Sequence, residues 1–147
     1  MRVVRVVVFA MAGLFVAVQL VPYGRDHTNP PVTRDAPWSS AEGRGIAVAA
    51  CYDCHSNETR WPWYSHVAPM SWLVQDDVDE GRDELNFSEW DRGQDVDDLV
   101  ESVVDASMPP RPYLLLHPSA RLSEAEKAAL LGALEALEAG DDGRGRG

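Results

Sequence analysis

At 147 residues the chain is the size of one domain with length to spare for an anchor or linkers. It holds 24 acidic and 13 basic residues, a net charge of −11. All the acids follow Pro22 while Arg2 and Arg5 precede it, so the remainder sets 11 bases against 24 acids, or −13. That balance argues against a nucleic-acid partner, because neutralising phosphate needs clustered Lys and Arg.

Taken in chain order, residues 1–22 read as a membrane anchor or signal-anchor. Arg2 and Arg5 precede the run Val6–Val21, in which Gln19 is the only polar residue. The run is short for a spanning helix of about 20 residues, but Val3 and Val4 extend it if Arg5 snorkels. One N-terminal transmembrane helix is therefore expected, its basic end in the cytoplasm. A cleaved signal peptide is the rival reading, although no clear small-x-small cleavage site is present. Residues 23–38, with Asn29-Pro30-Pro31 and Pro37, read as a polar tether that cannot continue a helix.

From residue 39 the pattern becomes helical. Ser39 or Ser40 ahead of Glu42 caps a helix over Ala41–Ala50, which leads into Cys51-Tyr52-Asp53-Cys54-His55. An aromatic loop follows, punctuated by Pro62 and Pro69. A helix is expected over Ser71–Leu85, and Ser88 with Asp91 resembles a capping box opening a further helix through Trp90. Val96, Leu99, Val100, Val103 and Val104 repeat with the period of an amphipathic helix over Val96–Ala106, ended by Met108-Pro109-Pro110. Ser123-Glu124-Ala125-Glu126 is a capping box ahead of an Ala- and Leu-rich helix to about Glu138, and 140–147 reads as a disordered tail. With no repeat and no strand pair, the expected fold is all-α, one small helical domain over 39–139 behind the N-terminal helix.

The chemistry concentrates at the cysteines. Two thiols three residues apart on one helical turn are placed to add to the two vinyl groups of a haem, and the next residue, His55, is carried beneath the iron as proximal ligand. The alternatives lack support in the pattern. A zinc site wants a second pair of ligands at matching spacing, and a thioredoxin-like motif wants a preceding strand. One covalent haem c is the expected cofactor.

Cys51-Tyr52-Asp53-Cys54-His55-Ser56-Asn57-Glu58-Thr59, Pro62-Trp63-Tyr64-Ser65, Ala68-Pro69, Asn86-Phe87-Ser88-Glu89-Trp90, and Met108-Pro109-Pro110 with Tyr113, His117-Pro118 and Leu122-Ser123 together resemble the bacterial haem-binding domain family of cytochrome c-like proteins. The resemblance covers roughly residues 23–137. It implies a small cytochrome c-like helical haem domain, usually behind an N-terminal membrane segment, and implies no particular partner or reaction.

A six-coordinate iron needs a second axial ligand, and Met70, Met108, His66 and His117 are the candidates. Met108 is preferred, because its place in Met-Pro-Pro between two helices is similar to the ligand loop of small class I cytochromes c; the plain alternative is a methionine filling core space. Trp63, Tyr64 and Trp72 are the expected aromatic wall of the pocket, and Arg60 or Arg111 the candidates to pair with a propionate. The function these readings converge on is electron transfer with a redox partner protein. The haem domain would lie on the extracytoplasmic side of the cytoplasmic membrane, held by a single-pass anchor. A haem-based sensor or peroxidase-like enzyme with an open sixth position is the alternative, as is a haem subunit of a larger membrane complex.

Overall fold

The computed structural model describes residues 1–142, and among these it contains seven α-helices, three short 3-10 turns and no strand. The helices are α1 (Arg2–Val18), α2 (Ala41–Ala50), α3 (Tyr52–His55), α4 (Met70–Glu84), α5 (Val96–Val104), α6 (Arg111–Leu116) and α7 (Glu124–Asp142). The caps explain most of their starts. Ser40 accepts from the Gly43 N–H at 3.0 Å to open α2, and Asp95 caps α5. Ser123 and Glu126 exchange reciprocal bonds ahead of α7, Ser123 N to Glu126 Oε2 at 2.8 Å and Glu126 N to Ser123 Oγ at 3.3 Å, which satisfies amides that a helix start leaves unpaired.

Ala47 of α2, the α5 stripe Val96, Leu99 and Val103, and Leu130, Leu134 and Leu137 of α7 form the core with Tyr52, Leu85, Phe87 and Trp90. Phe87 stacks on Tyr52 with ring centroids 5.2 Å apart and on Trp90 at 6.1 Å. Trp90 is thus a core residue. Ser88, expected to cap a helix, instead accepts from the Asn57 N–H through its hydroxyl at 3.0 Å, and only a 3-10 turn, Trp90–Arg92, follows. A buried demand from Asn57 outweighs the local capping pattern.

The structure bears on two N-terminal expectations. α1 spans 17 residues and buries none of them. At 1.5 Å per residue it measures about 26 Å against a hydrocarbon core of about 30 Å, and no helix among the described residues is long and apolar enough to cross a membrane. The segment after it, expected as a tether, is hydrogen-bonded to the domain. The Asn29 amide donates to Thr59 O at 2.9 Å, the Thr33 and Arg34 N–H groups both reach Ser88 O at 3.1 Å, and Ala36 N reaches Phe87 O at 2.8 Å. Prolines stop helix there, yet the extended backbone they leave is laid along the domain and hydrogen-bonded to it. Of the tail expected over 140–147, residues 140–142 belong to α7 and the rest lies outside the described residues.

Candidate functional site

α2 runs straight into the cysteine motif, and α3, a single turn, carries Cys54 and His55 against α4. The close approach has a specific cause. A Cβ at Gly81 of α4 would lie 2.8 Å from the Cys54 carbonyl oxygen and 3.0 Å from its carbon and Cβ, so only glycine lets α4 sit this near the motif. Arg82, next along α4, holds the loop that follows, donating to Ser56 O at 2.9 Å, Thr59 Oγ1 at 3.0 Å, Asn29 Oδ1 at 3.0 Å and Thr28 O at 3.2 Å.

The His55 ring is fixed by the end of α4. Its Nδ1 lies 3.2 Å from Leu85 O. A carbonyl only accepts, so Nδ1 carries the proton and Nε2 keeps its lone pair, the tautomer a metal-binding imidazole needs. Burial holds His55 below the ordinary imidazole pKa. The Cys51 thiol is pushed up to about 12 by burial and then by Cys54, and the Cys54 thiol to about 12 by burial and then by Asp77 and Asp53. This is the reverse of the electropositive setting that makes a reactive thiolate.

A cavity of about 530 Å³ opens beside these residues. Cys51, Cys54 and His55 line it, as do Met108, Pro109 and Pro110 from the loop between α5 and α6, with Leu99, Val103, Leu122 and Leu130 as apolar wall. Met108 N–H and Ser107 N–H both donate to Ser102 O at 3.1 Å, tying that loop to the end of α5. Of the four sixth-ligand candidates, Met108 alone lines this cavity. Met70 and His117 line a neighbouring one of about 320 Å³. His117 is engaged there. Its Nδ1–H donates to Tyr113 O at 3.1 Å, its Nε2 receives the Tyr64 hydroxyl at 3.3 Å, and its ring stacks on Tyr113 at 3.9 Å. His66 is solvent-exposed, edge-on to His27 at 4.3 Å.

The expected aromatic wall is not at the larger cavity. Trp63 is 79 % exposed in its 3-10 turn, and Tyr64 is turned to the smaller cavity by its bond to His117. Trp72 lies on α4 five residues before Asp77, about 140° round the helix from it, and lines neither cavity. Tyr113 lines both, a position that six residues of helix after Pro110 did not advertise.

Arg60 is also committed elsewhere. Its Nε and Nη2 reach the two oxygens of Asp53 at 3.0 and 3.2 Å, and its N–H a third time at 3.2 Å. Asp53 further accepts the Tyr113 hydroxyl at 2.9 Å. Burial, and then the Asp53 carboxylate, hold the Tyr113 phenol well above its ordinary pKa, so it remains a donor. Asp53, inside the cysteine motif, thereby joins α3 to α6, the helix that follows the Met108 loop.

The residues present suit a haem. The cavity falls within the roughly 300–1,000 Å³ of cofactor sites, Leu99, Val103, Leu122 and Leu130 give it an apolar side, two thiols stand at it, and an imidazole and a thioether border it. An all-helical fold with such a site defines a small helical haem-binding domain. The family model of the haem-binding domain matches residues 13–136, and the chain belongs to that family. No curated protein and no solved structure matches it.

Proposed function

We propose that the protein is a membrane-anchored mono-haem c-type cytochrome that transfers electrons on the outer face of the cytoplasmic membrane. The observation that carries this reading is that Cys51, Cys54, His55 and Met108, from segments more than 50 residues apart, border one cavity. Haem there supplies a one-electron couple at iron. The chain's residues do the rest. Cys51 and Cys54 would hold the group covalently, and His55 Nε2 and the Met108 sulfur would be donors to its iron, the thioether favouring the ferrous state and so raising the potential. Leu99, Leu122 and Leu130 exclude water, which further disfavours the more highly charged ferric state. For the anchor, the support is that α1 buries none of its largely apolar residues and that Arg2 and Arg5 mark a cytoplasmic end.

The test is to mature the full chain with the c-type assembly machinery and run a denaturing gel stained for haem. Covalent stain is expected, and is expected to vanish in Cys51→Ala with Cys54→Ala. Stain persisting in that double variant overturns covalent attachment at these residues. A low-spin ferric spectrum with the weak long-wavelength band of thioether ligation supports the carrier; a high-spin ferric spectrum supports an enzyme or sensor with an open sixth position.

A further inference from the structure

The end of α1 is bonded directly to the domain. Gln19, one residue past the helix, donates its amide to Ala68 O at 2.8 Å and accepts from Ala68 N at 3.0 Å. Arg25 donates to the same Gln19 oxygen at 3.0 Å. Gly24 then packs against the Ser71 carbonyl so closely that a Cβ would collide with it, in a backbone conformation (φ +72°) suited to glycine. The chain therefore has no slack between helix and domain. Wherever α1 ends, the surface around Ala68, at the N-terminal end of α4, begins.

That surface exposes several large apolar side chains. Leu20 is 82 % exposed, Trp63 79 %, Leu116 56 % and Leu73 55 %, with Val21 and Tyr23 also exposed beside the clamp. Leu73 and Leu116 border the smaller cavity together with Tyr64, whose ring lies edge-on to Trp63. The turn bearing Trp63 is joined to the clamp segment through His27, whose Nε2–H donates to Ser65 O at 3.1 Å. Exposed apolar groups gathered at one end of a domain mark a contact surface. Here the feature continuous with them is an exposed apolar helix, and Trp and Tyr at its foot are the residues that settle at the boundary between headgroups and acyl chains.

We propose that this end of the domain is seated in the membrane interface, with Trp63, Leu73 and Leu116 among the headgroups and upper acyl chains. The inference rests on the anchor reading above and goes beyond it: the haem domain rides on the lipid in a fixed orientation. Such seating also suits a short helix, since about 26 Å of α1 reaches less far than a bilayer core of about 30 Å, and mismatch of this kind is relieved by drawing flanking groups down into the interface.

The experiment uses the full haem-loaded chain in phosphatidylcholine vesicles, with a photoreactive benzoylphenylalanine replacing Trp63, Leu73 or, as a control on the larger cavity, Glu101. Lipid adducts are read by mass spectrometry, and vesicle association by flotation. The expected result is flotation of all three variants, with adducts at positions 63 and 73 several-fold above those at 101. Flotation with equal, low adducts at all three positions overturns the seating and leaves the anchor standing. Failure of the unsubstituted chain to float overturns the anchor, and the seating with it.

Discussion

Under the proposed ligation, Met108 is where the chemistry of one side chain would decide the character of the site. Its backbone is tied to Ser102 and its side chain borders the cavity opposite in sequence to the cysteine motif. Met108→Ala should leave covalent haem intact, convert a low-spin ferric spectrum to a high-spin one, and lower the midpoint potential by roughly 0.1 V or more out of the about 0.8 V that axial ligands span. An unchanged spectrum and potential would reduce Met108 to packing. Asp53 acts at one remove, through the carboxylate that Arg60 and Tyr113 share. Tyr113→Phe deletes one hydrogen bond to a charged group, a loss of about 1.5–3 kcal/mol where the geometry is good. It should lower the denaturant midpoint, and it should release the Met108 loop, so the thioether band disappears on warming before the helical signal does. Both transitions can be followed in one thermal scan by absorbance and circular dichroism. Simultaneous loss would mean that Tyr113 stabilises the domain without positioning that loop.

Among the helices, the contact of α3 with α4 is the one the site depends on. Gly81→Ala places a methyl against the Cys54 backbone, which cannot swing aside as a side chain can. Alanine gains about 1 kcal/mol in helix propensity, but overpacking costs typically 1–3 kcal/mol, so net destabilisation and poorer haem attachment are expected. Gly45→Ala in α2 and Gly132→Ala in α7 meet nothing within 4 Å and should be stabilising by up to about 1 kcal/mol. Urea titration of the three variants checks the contrast. This sensitivity was invisible in the sequence, where all three glycines look alike inside helical patterns. What the sequence did show was local: the Ser40 and Ser123 caps, the α5 stripe Val96, Leu99 and Val103, and the spacing of Cys51, Cys54 and His55 each depend on residues a few positions apart. What it concealed was long-range. Nothing near Ser88 indicates that Asn57 will claim its hydroxyl, nothing in a proline-bearing stretch indicates which carbonyls its amides will reach, and six residues after Pro109 and Pro110 carry too little periodicity to reveal α6. The aromatic wall failed for the same reason, since density of Trp and Tyr in sequence does not say which way a 3-10 turn points them.

At the scale of the molecule, charge is distributed with respect to the site. The larger cavity is bordered by seven carboxylates, Asp77, Glu80, Glu84, Asp95, Asp98, Glu101 and Asp105, and by no Lys or Arg, on a chain of net charge −11. A cleft lined by one sign of charge focuses the field and selects which ions approach it. If electrons enter and leave at this cavity, small redox ions should sense that field directly. Cationic tris(phenanthroline)cobalt(III) should oxidise the ferrous protein quickly at low salt and more slowly as salt rises. Anionic ferricyanide should be slow at low salt and accelerate, because screening shortens from about 30 Å at 0.01 M to about 10 Å at 0.1 M. Stopped-flow traces at several ionic strengths measure both slopes. Asp98→Asn with Glu101→Gln should reduce their magnitude without altering the haem spectrum, since both residues border the cavity while neither is among the groups that would bind the iron. Equal slopes for the two ions, or slopes untouched by the double substitution, would place the route of electron exchange away from the acidic rim.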